Sequence, residues 1–190
     1  MKIGITGGIG TGKSYVCALL AQHGIEVYDC DAAAKRLMNH SEWLRQQITA
    51  LVGPDAYRPD GKLNKAVVAQ FLLASADNAA ALDAIVHPAV IDDFLASGRE
   101  WLESAILFEA GIDSIMDRVV CVTAPEEVRI ERVVRRDGIS PEKARQWIQR
   151  QWPQEEKAAR ADFEIVNDGQ AALSPQIDRL LASLGMTSRD

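Results

Sequence analysis

The chain has 190 residues, of which 47% are hydrophobic and 25% charged, a composition typical of a globular protein of one domain, with room for an insertion. Its 21 basic and 27 acidic residues give a net charge of −6, which argues against general nucleic-acid binding. Three cysteines without metal-binding spacing, no signal peptide and no apolar run long enough for a membrane span predict a cytoplasmic protein with reduced thiols.

Residues 4–16 (GITGGIGTGKSYV) follow a short apolar run and are rich in glycine, threonine and serine. Gly7, four residues, then Gly12, Lys13 and Ser14 match the phosphate-binding loop G-x-x-x-x-G-K-[ST]. Glycines let successive N–H groups point at phosphate oxygens, and the helix predicted to follow adds its positive N-terminal end. Lys13 would then reach the β- and γ-phosphates, and the Ser14 hydroxyl would bind Mg²⁺. The alternative is a glycine-rich turn without a ligand.

Short apolar runs alternate with helical patterns along the chain. The runs predict five strands, at residues 2–6, 25–30, 104–109, 118–124 and 163–166. Strands separated by helices indicate an α/β fold, with a five-stranded parallel sheet of the P-loop NTPase type. Residues 32–100 are helical throughout, with Ser41 as an N-cap, and predict an inserted subdomain. Charged helices at about residues 129–160 predict a lid within a core made of residues 1–31 and 101–190.

Acidic side chains follow two of the predicted strands. Asp29 and Asp31 end the second strand, and ligands of open parallel sheets bind beyond the carboxyl ends of strands. A carboxylate there can hold magnesium-bound water or accept a proton from an attacking hydroxyl, and Asp31 is the stronger candidate. The alternatives are a helix N-cap and a solvated loop acid. Glu109 ends the third strand, where it could orient substrate or metal, or be a simple loop acid.

The first lid helix carries arginines that could close over ATP phosphates and neutralise charge during transfer. They are Arg129, Arg132, Arg135 and Arg136. The alternative is a solvated face on which Glu131 and Arg135 form an i,i+4 pair. Arg132 and Arg136 share the other face and have no such obvious acidic partner, which favours these two.

Two further polar residues have both structural and functional interpretations. His87 precedes Pro88 in an apolar helical segment, and a lone histidine there is more often structural than a ligand. Asn167 follows the last strand and could hydrogen-bond the edge of a base, or make the turn.

Taken in order, the motifs of this chain resemble those of the dephospho-coenzyme A kinase family, whose members catalyse the last step of coenzyme A biosynthesis. The matching segments are ITGGIGTGKS (5–14), YDCDAAAKRL (28–37), DGKL (60–63), IVHP (85–88), ILFE (106–109), ERVVRRDG (131–138), QWPQEEKAARAD (151–162) and VNDG (166–169). The phosphate loop alone indicates only an NTPase. The combination of the D-x-D element, the His-Pro pair and the arginine lid is much more specific to the family.

The resemblance implies that ATP, with Mg²⁺, phosphorylates the 3′-hydroxyl of the ribose in dephospho-coenzyme A, and that the helical insertion binds this acceptor. By the same resemblance Asp31 is the general base, and Lys13, Arg132 and Arg136 assist the transfer. The ATP-binding residues would be Gly8, Ile9, Gly10, Thr11, Gly12, Lys13, Ser14, Tyr15 and Asn167. The acceptor-binding residues would be Asp31, Lys65, His87, Leu107 and Glu109. Neither nucleic acid nor a membrane is implied as a partner, and the oligomeric state stays open.

The chain departs from the family pattern at several positions. Ala105 replaces a usual proline, and Trp147 stands where an arginine is common in the second lid helix. Lys65 replaces a usual arginine, and lysine cannot form the same bidentate contact with a phosphate.

Two rival functions share the phosphate loop. One is another small-molecule or nucleoside P-loop kinase, from which the helical insertion and the His-Pro segment distinguish this chain. The other is a nucleotide-dependent switch, which would need the guanine-binding motif N-K-x-D. The segment at 64–67, NKAV, lacks that aspartate.

Overall fold

The computed structural model describes residues 1–186. Within them, five strands form one parallel sheet in the order β2-β3-β1-β4-β5. The strands are β1 (Ile3–Thr6), β2 (Val27–Asp29), β3 (Trp101–Glu103), β4 (Arg118–Thr123) and β5 (Phe163–Val166). β1 is flanked by β3 and β4 and is buried along its whole length, as expected for a strand covered on both faces. The predicted fold class is confirmed.

The described residues also form nine α-helices. They are α1 (Lys13–Gln22), α2 (Cys30–His40), α3 (Glu42–Val52), α4 (Lys65–Ala74), α5 (Ala76–Ser97), α6 (Glu126–Asp137), α7 (Pro141–Gln149), α8 (Gln154–Arg160) and α9 (Ser174–Ser183). Ser41 caps α3 as predicted, because its side chain accepts a hydrogen bond from the Leu44 N–H. No helix in this described range is long and apolar enough to cross a membrane.

The third strand lies earlier in the chain than the sequence predicts. Trp101 and Leu102 are buried and pair with β1, whereas the predicted strand at 104–109 folds into turns. The Ser104 N–H still extends the ladder, but its side-chain oxygen accepts a hydrogen bond from the Ile106 N–H at 3.3 Å and the chain turns there. The prediction was wrong because the turn segment is itself apolar, and Leu107 is fully buried without being in a strand.

The chain divides into two compact units, residues 1–28 with 99 onwards, and residues 29–98. In the first, the core joins β1, β4 and β5 to α1 and α9. In the second, α5 packs against α2, α3 and α4, and its buried face includes Leu82, Val86, Val90 and Phe94. The assignment of residues 32–100 to acceptor binding stays a prediction, and residues 187–190 of the predicted core lie outside the described range.

The predicted lid region belongs to the first unit. Its helices α6 and α7 share a small apolar core formed by Ile130, Val133, Ala144 and Ile148. Gly138 ends α6 with φ 65°, a left-handed conformation that glycine adopts readily. Ser140 then caps α7, accepting a hydrogen bond from the Lys143 N–H. The Gly138 terminus and the Ser140 cap together produce a sharp turn between the two helices.

Candidate active site

The loop between β1 and α1 presents backbone N–H groups that have no hydrogen-bond partner among the described residues. Thr11 is buried, and its hydroxyl donates a hydrogen bond to the Gly8 carbonyl at 2.9 Å, which fixes the curl of the loop. Within residues 1–186, the N–H groups of Gly10 and Gly12 have no hydrogen-bond partner. Gly12 caps the N-terminus of α1, where the helix dipole adds partial positive charge. This arrangement can bind an anion such as a phosphate.

The loop glycines are also required by their protein neighbours. Gly10 has φ 82°, and a Cβ there would lie 2.6 Å from the main-chain oxygen of Arg129. A Cβ on Gly12 would overlap the side-chain amide of Asn167. Sequence reasoning attributes the missing side chains to phosphate alone, but α6 and the segment after β5 approach the loop as closely.

Lys13 lies between two oxygen atoms. Its Nζ is 3.6 Å from an Oε1 of Glu103 and 3.5 Å from the Gly8 carbonyl oxygen. The lysine and glutamate side chains are only 10% and 13% exposed, so their attraction is screened less than that of a surface pair. Sequence analysis did not find Glu103 because the third strand was misplaced. The signal in the sequence that could have identified Glu103 is an acidic residue at the end of an apolar run.

Ser14 and Tyr15 follow Lys13 in the first turn of α1, and both are exposed. The Ser14 hydroxyl has no hydrogen-bond partner in the described part of the chain, so it is available to a ligand. The described residues hold no cluster of three or more histidine, cysteine, aspartate or glutamate side chains able to bind a metal by themselves. The oxygen chemistry of Ser14 suits a hard divalent cation that arrives with nucleotide phosphates.

Arg132 and Asn167 hold the loop from its carbonyl side. The Arg132 guanidinium donates to the carbonyls of Gly10 and Thr11, each at 3.3 Å, and to the Asn167 side-chain oxygen, also at 3.3 Å. The amide of Asn167 in turn donates to the Thr11 carbonyl at 2.8 Å. Asn167 is buried, so its side chain helps to fix the loop, a role that sequence reasoning did not predict.

Arg129 is the buried arginine of α6, 6% exposed, and its Nε donates to the Ile9 carbonyl at 3.0 Å. Burial lowers the pKa of its guanidinium, while Glu126 and Glu155 act in the opposite direction. Sequence reasoning favoured other arginines because helical spacing shows a shared face but not which face points inwards.

Arg136 is exposed and has an acidic partner that the comparison of i,i+4 pairs did not consider. Its guanidinium donates two hydrogen bonds to the carboxylate of the adjacent Asp137, at 2.9 and 2.7 Å. These bonds raise the pKa of Arg136 and lower that of Asp137. Comparing residues four positions apart does not find this partner, because Asp137 is adjacent to Arg136 at the end of α6.

Glu109 is engaged by a buried lysine. Its Oε1 lies 2.6 Å from Nζ of Lys157, which is fully buried and also donates to the Ala105 carbonyl at 2.7 Å. The Trp152 N–H donates to the same Oε1 at 3.2 Å. Glu109 therefore ties α8 to the turns after β3. Leu107 is fully buried in the same segment, and its assignment as an acceptor contact stays a prediction.

Asp29 and Asp31 lie in the helical unit and differ in their partners. Asp29 caps α2, because its Oδ1 accepts a hydrogen bond from the Ala32 N–H at 2.9 Å. Asp31 occupies the first turn of α2, is exposed, and has no ion-pair or hydrogen-bond partner among residues 1–186. Of the two carboxylates, Asp31 is the one free to meet a ligand.

The other predicted acceptor residues are also in the helical unit. Lys65 is exposed at the first position of α4, and its ammonium has no partner within the described range. His87 is half-buried on α5, and its Nε2 lies 3.6 Å from Oδ1 of Asp83, one turn earlier. Pro88 follows it inside the helix. The acceptor-binding roles of these two side chains stay predictions.

The comparisons with known proteins agree over nearly the whole chain. A family model described as dephospho-CoA kinase matches residues 1–172. The chain belongs to the dephospho-CoA kinase family. A dephospho-CoA kinase from Bacteroides fragilis is 43% identical over 195 residues, covering 97% of this chain and 93% of that protein. A dephospho-CoA kinase from Chlorobaculum tepidum is 39% identical, covering 97% and 95%.

Solved structures show the same fold. The crystal structure of TT1252 from Thermus thermophilus has a TM-score of 0.81 and 34% identity, covering 97% of this chain and 96% of that chain. Shikimate kinase from Aquifex aeolicus has a TM-score of 0.53 at 19% identity, covering 97% and 96%, which shows the fold alone. The chain is therefore a kinase of the P-loop type, and neither rival function is favoured.

Proposed function

We propose that this enzyme transfers the γ-phosphoryl group of ATP to the 3′-hydroxyl of the ribose in dephospho-CoA, giving CoA and ADP. Family membership along residues 1–172 supports the activity and the two substrates. The observation that carries the nucleotide half is the loop before α1, with unpartnered N–H groups next to Lys13. A nucleotide site of this kind can serve kinases with other acceptors. The assignment of dephospho-CoA as the acceptor therefore depends on family membership.

The ATP phosphates would lie in this loop. The N–H groups of Gly10 and Gly12 would donate to phosphate oxygens, and Lys13, positioned by Glu103, would reach the β- and γ-phosphates. ATP-using kinases generally need a divalent metal; we assign Mg²⁺, held by Ser14 and the phosphates, where it neutralises charge when bound. Glu103 would then face the lysine and the metal-bound phosphates from the end of β3.

The acceptor hydroxyl would be activated by Asp31. Its exposed carboxylate, without a protein partner in the described residues, can accept the ribose 3′-hydroxyl proton as the oxygen attacks in line. Charge on the transferred group would be neutralised by Lys13 and by the lid arginines Arg132 and Arg136. Arg132 already lies on the loop, whereas Arg136 would have to leave Asp137.

The helical unit, residues 29–98, would bind the rest of dephospho-CoA. Lys65 has a free ammonium for an acceptor phosphate, and His87 offers a ring nitrogen beside Asp83. Asn167 and the exposed Tyr15 would lie towards the nucleoside of ATP. Cys17, Cys30 and Cys121 are thiols rather than disulfide-bonded, which fits a place in the reducing cytoplasm.

Product identification tests this proposal. The enzyme is incubated with ATP, Mg²⁺ and dephospho-CoA, and the product is identified by mass and by ³¹P NMR, which distinguishes a 3′-phosphomonoester. A product with the mass of CoA but with phosphate at another position would contradict the assigned hydroxyl. Activity that survives EDTA would contradict the metal assignment.

A further inference from the structure

Ile9 lies in the middle of the phosphate loop, and its side chain, carbonyl and N–H all contact the lid. Its side chain packs against the apolar core of α6 and α7. Its carbonyl accepts a hydrogen bond from Arg129 Nε at 3.0 Å. Its N–H donates to Oε1 of Gln151, in the connection between α7 and α8, at 2.7 Å. An apolar residue in this loop is thus explained by the lid rather than by a nucleotide.

These hydrogen bonds also orient the neighbouring peptide groups. In a trans peptide, the N–H of one residue and the C=O of the residue before it point in opposite directions, and residues 1–186 contain no cis peptide bond. With its N–H turned to Gln151, Ile9 therefore leaves the Gly8 carbonyl on the opposite face of the loop. There the carbonyl accepts from the Thr11 hydroxyl at 2.9 Å and from Lys13 Nζ at 3.5 Å.

The next peptide group follows the same rule. The Ile9 carbonyl is turned to Arg129, so the N–H of Gly10 points to the opposite face, where it has no partner within the described residues. The contacts from the lid thus set the direction of a carbonyl that reaches Lys13 and of an N–H available to an anion.

We propose that Gln151 is a positioning residue for phosphoryl transfer, because it orients the Gly8–Ile9 peptide and so couples the lid to the phosphate loop. This role rests on the proposed function. Gln151 is suited to it because its amide oxygen accepts a hydrogen bond from the Ile9 N–H. A shift of α7 and α8 moves Gln151, and one hydrogen bond carries that shift to the groups around Lys13.

The test compares variants that differ in the acceptor atom. Gln151→Leu removes the acceptor at nearly constant size, and Gln151→Glu keeps an oxygen in the same place, next to Arg129. Gln146→Leu, on the exposed surface of α7, controls for the loss of a lid glutamine. For each variant we measure the Kd for ATP by calorimetry without acceptor, kcat with both KM values, and the Tm.

Gln151→Leu is expected to raise the Kd and KM for ATP about 5- to 10-fold, the effect of one lost hydrogen bond, and to leave the KM for dephospho-CoA unchanged. Gln151→Glu is expected to recover most of this loss, and Gln146→Leu to behave as the unaltered enzyme. Unchanged ATP affinity in Gln151→Leu, or equal losses in Gln151→Leu and Gln151→Glu, would overturn the proposal. A lower Tm with unchanged ATP affinity would overturn it too, since that is a structural role.

Two complications are separable from the proposal. If Gln151→Leu does not fold, Gln151→Met removes the same acceptor with an unbranched side chain, and the same outcomes decide. If the unaltered enzyme transfers no phosphate to dephospho-CoA, the proposed function fails. The ATP calorimetry still decides the role of Gln151, because that measurement contains no acceptor.

Discussion

Lys13 and Glu103 form a shielded ion pair, with Nζ 3.6 Å from Oε1, across the edge where β1 and β3 end. The pair restrains the ammonium of the phosphate-binding lysine close to the Gly8 carbonyl. A lysine that is already restrained loses less side-chain entropy when phosphates bind.

Glu103→Gln removes this charge without changing the size of the side chain. We expect kcat to fall about 10- to 100-fold, because Lys13 loses the partner that positions it. The measurement is steady-state turnover with the Kd for ATP determined in parallel. The matched control is Glu100→Gln, whose carboxylate is exposed and pairs with the amino group of Met1. Equal turnover in Glu103→Gln and Glu100→Gln would show that Glu103 does not position Lys13 for the reaction.

Asp31→Asn tests the general base. The amide cannot accept the hydroxyl proton, so kcat is expected to fall about 10²- to 10⁴-fold, while the Kd for ATP stays the same. Asp29→Asn is the matched control two residues earlier, since asparagine caps a helix as well as aspartate does. The base assignment does not survive if the two variants lose activity to the same small extent.

The buried Lys157–Glu109 pair gives a prediction about stability. Lys157→Met leaves the partly buried Glu109 without its counter-charge, and its Oε2 has no hydrogen-bond partner in the described residues even in the intact pair. We expect the single variant to lose about 3–5 kcal/mol of unfolding free energy, measured by urea denaturation. The double variant Lys157→Met with Glu109→Leu is expected to be more stable than Lys157→Met alone. A double variant less stable than the single one would show that the charge of Glu109 is needed for another reason.

The Cys121 thiol gives a prediction about pH. Burial, with the nearby Glu164 carboxylate, raises its pKa to about 11 from an ordinary value of 9.0. A thiol whose pKa is higher in the folded than in the unfolded chain stabilises the fold at any pH below its unfolded pKa. This stabilisation is lost as the pH rises from about 9 towards 11. Between pH 8 and 10.5, the unfolding free energy of the unaltered chain should fall more steeply than that of Cys121→Ala. Parallel curves would mean that the thiol does not titrate in this way.

Local sequence patterns were sufficient for the phosphate loop and for most of the fold. The G-x-x-x-x-G-K-S spacing, Ser41 as a helix cap and the regular alternation of strands and helices each follow from neighbouring residues. The third strand was misplaced because the turns after it are as apolar as a strand, with Leu107 fully buried in them. Apolar character reports burial, and burial does not distinguish a strand from a packed turn.

The contacts that shape the site could not be predicted in the same way. Gln151 meets Ile9 across 142 positions of sequence, and Arg129 meets it across 120. Lys157 reaches Ala105 across 52 positions. No spacing rule connects such residues, because the fold alone brings them together. The roles of Asp31, Lys65 and His87 stay predictions.

ADP release from ATP and Mg²⁺ with different acceptors is the most direct test of the proposed reaction. Dephospho-CoA is compared with adenosine, AMP and shikimate at equal concentrations. We expect turnover with dephospho-CoA alone, yielding CoA. Turnover with another acceptor and none with dephospho-CoA would contradict the proposed reaction, leaving a P-loop kinase whose helical unit binds a different substrate.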